Sequence, residues 1–286
     1  MQIGVVFPQT EIGGDRGAVR AYGQAASDLG YTHVAAYDHV LGADTAVHHD
    51  LAGPYTLEDS FHEPLVLFSF LAGFTGLGFA TSILIGPQRQ TALLAKQAAE
   101  VDLLSGGQFR LGLGIGWNHV EYEALGYSFR DRASFMEEQI GVLRRLWTEK
   151  SVTVDSRFHR ISAAGLCPLP VQRPIPIWIG AWAPAALRRV GRLADGWFPQ
   201  VRPGGGLEEA LETIAEGARE VGRDPAAIQF EGRVEYATRD PDRTALHAAK
   251  WRAAGAAFLS VNTMAAGCRN VHDHIAALSA LAEVLL

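Results

Sequence analysis

Cysteine is nearly absent. Cys167 and Cys268 stand alone in 286 residues, with no CxxC spacing and no disulfide framework. That usage suits a reducing cytosol, so a cytoplasmic location is expected. Basic charge is also in short supply. The 25 Lys and Arg against 31 Asp and Glu leave a net charge of −6 and a pI near 5.9, which argues against a nucleic-acid partner. No block of like charge reads as a tail. The front of the chain, Gln2-Ile3-Gly4-Val5-Val6-Phe7-Pro8, lacks the charged region of a signal peptide and reads as a strand.

Charge is missing altogether from Pro64 to Gln88, a length sufficient for a membrane span. Gly73, Gly76 and Gly78 break that run, and Thr75, Thr81 and Ser82 interrupt its apolar character. The turn chemistry favours a buried helix (Leu65 to Phe74) followed by a buried strand (Phe79 to Ile85), and no membrane partner is expected. A nucleophile elbow of the G-x-S-x-G type is absent, which argues against serine-hydrolase chemistry. His48-His49-Asp50 and His272-x-His274 lack metal-ligand spacing, so no metal site is expected.

What is present alternates between strand and helix. Strands are expected at Ile3 to Phe7, His33 to Tyr37, Phe79 to Ile85, Phe109 to Leu113, Ile177 to Gly180, Trp197-Phe198, Ile228 to Tyr236 and Phe258 to Val261. Helical patterns follow each, among them Ala18 to Leu29, Thr91 to Leu104, Asp131 to Trp147, Pro184 to Leu193 and His272 to Leu285. Ser151 to Pro176, with Pro168, Pro170, Pro174 and Pro176, reads as an inserted excursion without regular structure. Eight strand–helix units predict an α/β fold, a (β/α)₈ TIM barrel with an insertion at about 151–176, as one domain over 1–286. The site then lies where the strands end: Pro8-Gln9, Asp38-His39, Ser82 to Gly86, Gly114 to Asn118, Gly180 to Trp182, Pro199-Gln200, Tyr236 and Asn262.

Three constellations carry chemistry. Gly112-x-Gly114-x-Gly116 resembles a dinucleotide turn, but the sixth position of G-x-G-x-x-G is Trp117 or His119, so the fingerprint fails. Asp38-His39 puts a charged pair at a strand end, where it caps a loop or meets a ligand. Gly180-Ala181-Trp182-Ala183-Pro184 opens a helix whose first N–H groups form a natural phosphate seat, with Arg188, Arg189 and Arg192 nearby in the chain.

Tyr37-Asp38-His39-Val40, Ala80-Thr81-Ser82-Ile83-Leu84-Ile85-Gly86-Pro87-Gln88-Arg89, Leu94 through Gly107, Gly112 through Asn118, and Asp195-Gly196-Trp197-Phe198-Pro199 stand in order along the chain. With them the sequence resembles the bacterial luciferase-like flavin and deazaflavin oxidoreductases, and within them the F420-using branch. The resemblance implies a barrel that binds F420, or alternatively FMN, at the strand C-termini. It implies that Asp38 and His39 lie near the deazaflavin with His39 in proton or hydride chemistry. It also places a non-prolyl cis peptide at Ser82-Ile83. Gly114 and Gly116 then give clearance beside the ring, Trp117 stacks where some members carry a proton-donating glutamate, and Gly180, Ala181 and Trp182 hold phosphate through backbone N–H groups. Glu121 is an acid candidate if its helix turns inward. The expectation is an F420-dependent oxidoreductase, a homodimer acting on a small organic molecule. An FMNH₂-dependent monooxygenase using O₂ and a non-catalytic cofactor-binding barrel are the alternatives.

Overall fold

Short apolar strands that lead into capped helices repeat along the chain. The computed structural model describes residues 1–51 and 53–286. In it β1 (Gln2–Val6), α1 (Gln9–Ile12), α2 (Arg16–Asp28), β2 (His33–Ala36) and α3 (Pro64–Ala72) come first. Next are β3 (Gly78–Thr81), β4 (Leu84–Ile85), α4 (Thr91–Leu104), β5 (Phe109–Gly114), α5 (His119–Ala124) and α6 (Arg132–Thr148). Then follow β6 (Val152–Asp155), β7 (Arg160–Ala164), β8 (Ile177–Ala181), α7 (Pro184–Leu193), β9 (Gly196–Pro199) and α8 (Leu207–Arg219). The last elements are β10 (Gln229–Glu235), α9 (Pro241–Ala253), β11 (Phe258–Asn262) and α10 (Val271–Leu285).

The strands pair in parallel and close on themselves. β1 lies between β2 and β11, with Val5 opposite Val34 and Val261. β2 pairs with β3, β5 with β8, β8 with β9, β9 with β10 and β10 with β11. β3 and β4 act as two halves of one stave, since both pair with β5 (Phe79 with Phe109, Leu84 with Leu113). The result is a closed eight-staved parallel barrel with helices between the staves, the (β/α)₈ TIM barrel.

Outside the staves, Phe68, Leu71, Phe79, Leu94, Phe109, Leu143 and Trp147 are fully buried between sheet and helices, and apolar burial of this extent is the main stabilising term. The helix of the charge-free segment forms where it is expected. Pro64 opens α3, the Glu63 carboxylate accepts the N–H of Val66 as its cap, and Leu65, Leu67, Phe68 and Leu71 face the core. Among the described residues no helix is long and apolar enough to cross a membrane.

Inside the barrel, toward the N-terminal ends of the strands, charge is buried. Glu231 meets His33 Nε2 at 2.9 Å and the Arg110 guanidinium at 2.6 Å, and it accepts from Ser260. The guanidinium also lies 3.7 Å from the centre of the Phe258 ring and 4.7 Å from that of Trp178.

Two sequence expectations need correction. The excursion at 151–176 is partly regular: β6 and β7 form an antiparallel hairpin because Val152 is buried and Val154 and Ile161 pack on the main core. The prolines that masked it all follow β7. The strand expected over Phe79–Ile85 is interrupted at Ser82-Ile83, where the peptide is cis. Arg188, Arg189 and Arg192, whose direction the spacing leaves open, pair with Glu216 and Glu220 of the α8 region and Glu137 of α6.

Candidate active site

At the C-terminal ends of the strands lies a cleft of about 610 Å³, lined among others by Asp38, His39, Ser82, Ile83, Ile85, Gly116 and Trp117. The Ser82-Ile83 interruption shapes one wall. Ile83 turns inward because the staves on either side give it room: a Cβ on Gly114 would stand 2.8 Å from its Cγ1, and one on Gly180 would stand 2.8 Å from its Cγ2. A Cβ on Gly116, at φ +63°, would likewise lie 2.9 Å from Cγ2 of Ile85. These glycines therefore clear space for the two isoleucines, and of the three only Gly116 lines the cleft.

Asp38 holds the same interruption from below. Its Oδ2 accepts the N–H of Ile85 at 2.9 Å, and its Oδ1 accepts from Arg89 at 2.7 Å. Arg89 reaches on to Glu63 at 2.8 Å, tying β2, the turn after β4 and the start of α3 together. Burial works against the charge of the Arg89 guanidinium, but the two carboxylates outweigh it and raise its pKa.

His39 lies beside a carboxylate that the sequence placed only conditionally. Asn118, fully buried, caps α5 by accepting the N–H groups of Val120 and Glu121, and its amide donates to Leu41. That cap turns α5 so that Glu121 points inward, 0% exposed, with Oε2 at 3.4 Å from His39 Nδ1. Glu121 also accepts from the N–H groups of Val40 and Leu41 and from Gln88. Burial alone would raise its pKa, yet the bonds from His39, Val40, Gln88 and Leu41 prevail and hold the carboxyl below its ordinary value. The other imidazole nitrogen, Nε2, makes no hydrogen bond among the described residues, and His39 itself lines the cleft.

Three aromatic rings surround the imidazole edge-on. Phe61, Tyr55 and Trp117 have centroids 4.9, 5.3 and 5.6 Å from it. Tyr55 and Phe61 come from the long loop between β2 and α3. Across the cleft, Arg233 donates to Glu235 (2.8 Å) and to the Tyr37 hydroxyl (3.2 Å), and Asn262 donates to Glu235 (2.7 Å). Arg233 and Glu235 went unread in the sequence, though a signal was there. Glu231, Arg233 and Glu235 alternate along β10 on the side opposite the buried Val234, and charged side chains at period two on a barrel stave face the interior.

Other expected site residues stand apart. Gly180, Ala181 and Trp182 do not line this cleft: Gly180 lies behind Ile83, the Ala181 carbonyl accepts from the Trp197 indole, and Trp182 is 72% exposed.

A protein named F420-dependent hydroxymycolic acid dehydrogenase, from Mycobacterium tuberculosis, is 29% identical over 255 residues, covering 87% of this chain and 66% of that one. The chain spans about half to two thirds of the length of the curated relatives it matches. Among solved structures, monooxygenase RslO1 from Streptomyces bottropensis superposes with a TM-score of 0.80 at 18% identity, covering 100% of this chain and 98% of that one. An F420-dependent secondary alcohol dehydrogenase in complex with an F420–acetone adduct gives 0.79 at 17% identity, covering 99% and 98%. At such identities these two structures show a shared fold. The profile of the luciferase-like monooxygenase family matches residues 1–282, and the chain belongs to that family.

Proposed function

We propose that this protein is an F420-dependent oxidoreductase, moving a hydride between the deazaflavin and a small organic substrate, with His39 as the acid–base residue. One observation carries the reading: an imidazole beside the buried Glu121 carboxylate lines a cleft walled by the Ile83 bulge, and among the described residues its Nε2 makes no hydrogen bond. The named F420-dependent relative supports the choice of cofactor.

The residues present fit a flat ring system. A cleft of about 610 Å³ has the size of a cofactor site, and Ile83, Ile85 and Trp117 give it apolar walls, with Gly116 leaving the backbone bare beside them. When bound, the deazaflavin supplies a two-electron acceptor or donor of hydride.

The chain supplies the proton path. Glu121 next to Nδ1 favours the tautomer with hydrogen on Nδ1, which leaves the Nε2 lone pair free. In the oxidative direction Nε2 takes the proton of a substrate hydroxyl as its carbon gives up hydride, and in the reductive direction it returns that proton to the carbonyl oxygen. The imidazolium formed on the way is stabilised by the Glu121 carboxylate. Asp38, with both oxygens engaged by Ile85 and Arg89, serves as a positioning residue that holds the bulge. Tyr55, Phe61 and Trp117 keep water from the imidazole and restrict its rotation.

Turnover of F420 against a panel of alcohols and carbonyl compounds tests this reading. The wild type is expected to reduce or oxidise F420 with at least one member, and His39→Ala to bind F420 while losing roughly 10²–10⁴-fold in rate. Oxygen consumption with reduced FMN and no turnover of F420 would replace it with the monooxygenase reading.

A further inference from the structure

A second cavity, of about 450 Å³, opens next to the cleft and shares Gln200, Arg233 and Glu235 with it. Its base is built: Val234, Thr244 and Trp251 are buried there. Its rim carries Arg202 from the loop after β9, and Arg243, His247 and Lys250 from α9. His247 and Lys250 stand three apart and Arg243 and His247 four apart, so the helix presents these three on one face.

The rim is unneutralised. Among the described residues none of these four side chains forms an ion pair, whereas the arginines of α7 and α8 meet glutamates. Among the described residues one carboxylate lines the cavity, Glu235, and it is engaged by Arg233 and Asn262. Asp240, at the start of α9, is turned to the backbone, capping the N–H of Arg243 at 3.0 Å. In a chain of net charge −6, three permanent cations and a histidine gathered around one concavity repel one another unless an anion sits among them. Guanidinium forks and an ammonium are the donors that recognise phosphate.

We infer that this cavity is a phosphate subsite, holding a phosphate group of the molecule whose reacting part occupies the adjoining cleft. The inference rests on the proposed function only for what that molecule is. Two sources share the chemistry: a phosphate-bearing chain of the cofactor, and a phosphorylated substrate.

Pyrophosphate is the probe. Its binding to the full chain is followed by calorimetry and by the fluorescence of tryptophan, since Trp251 forms part of the base. The wild type is expected to bind it saturably, more weakly as salt rises. Arg243→Gln/Lys250→Gln, which changes exposed side chains, is expected to keep the wild-type melting curve and to bind at least tenfold more weakly. F420 is then titrated into both proteins, with and without pyrophosphate. A tenfold loss of F420 affinity in the double variant, with pyrophosphate competing, assigns the subsite to the cofactor's chain. Unchanged F420 affinity, with pyrophosphate bound alongside, assigns it to the substrate. Either result supports the subsite. Pyrophosphate binding that is absent from the wild type, or equal in the two proteins, overturns it. If F420 fails to bind while pyrophosphate still distinguishes the two proteins, the subsite stands and the F420 reading falls.

Discussion

Gly114 seats Ile83: a Cβ on the glycine would stand 2.8 Å from Cγ1 of the isoleucine and overlap its Cδ1. The bulge that walls the cleft depends on this missing methyl. Gly114→Ala is expected to cost about 1–3 kcal/mol through overpacking and to weaken cofactor binding by displacing Ile83. Adding Ile83→Val removes Cδ1 and should recover part of both losses. Thermal melts and cofactor titrations on the single and double variants check this, and a single variant with wild-type binding would show that the bulge does not shape the site.

Glu121→Gln keeps an oxygen for the N–H groups of Val40 and Leu41 and removes the charge beside His39. Turnover is expected to fall about tenfold to a hundredfold, part of the range open to general acid–base catalysis, with cofactor affinity unchanged. Unchanged turnover would mean that Glu121 only braces the loop.

Among the described residues Arg89 is the sole cation paired with the buried Asp38 carboxylate, whose side chain is 1% exposed. Arg89→Leu strands that charge and is expected to destabilise the fold by about 3–5 kcal/mol. Pairing it with Asp38→Asn should return much of this in denaturant melts. A single variant as stable as the wild type would remove the pair from the account of the bulge.

Acid sensitivity should trace to Glu231. Burial favours its protonated form, but Arg110 and His33 overcome this and hold the carboxyl far below its ordinary value of 4.5. The unfolded chain therefore takes up the proton first as pH falls, so this contribution is full above the ordinary value and shrinks below it. Glu231→Gln is expected to cost about 3–5 kcal/mol near neutrality by leaving Arg110 unpaired. The gap between variant and wild type should narrow from about pH 6 to about pH 3. A constant gap across that range would contradict the assignment.

Most of the barrel was legible in sequence because each stave is a short apolar run and each helix has its own punctuation: α4 and α7 fall where periodicity and Pro184 place them. The bulge was legible only through family resemblance, since nothing in Thr81-Ser82-Ile83-Leu84 departs from a strand pattern. Trp117 stands where some family members carry a proton-donating glutamate, yet the acid that reaches His39 is Glu121, four residues on. Its direction depends on the Asn118 cap, a tertiary consequence that spacing alone does not fix. Tyr55 and Phe61 were invisible for a related reason, because a loop without periodicity says nothing about which of its rings returns to the site.

Equilibrium titration of the purified protein with F420 and, separately, with FMN separates the two cofactor assignments. Saturable quenching of F420 fluorescence is expected, weakened in Gly114→Ala, with weaker or absent binding of FMN. Tight FMN binding with no response to F420 would contradict it.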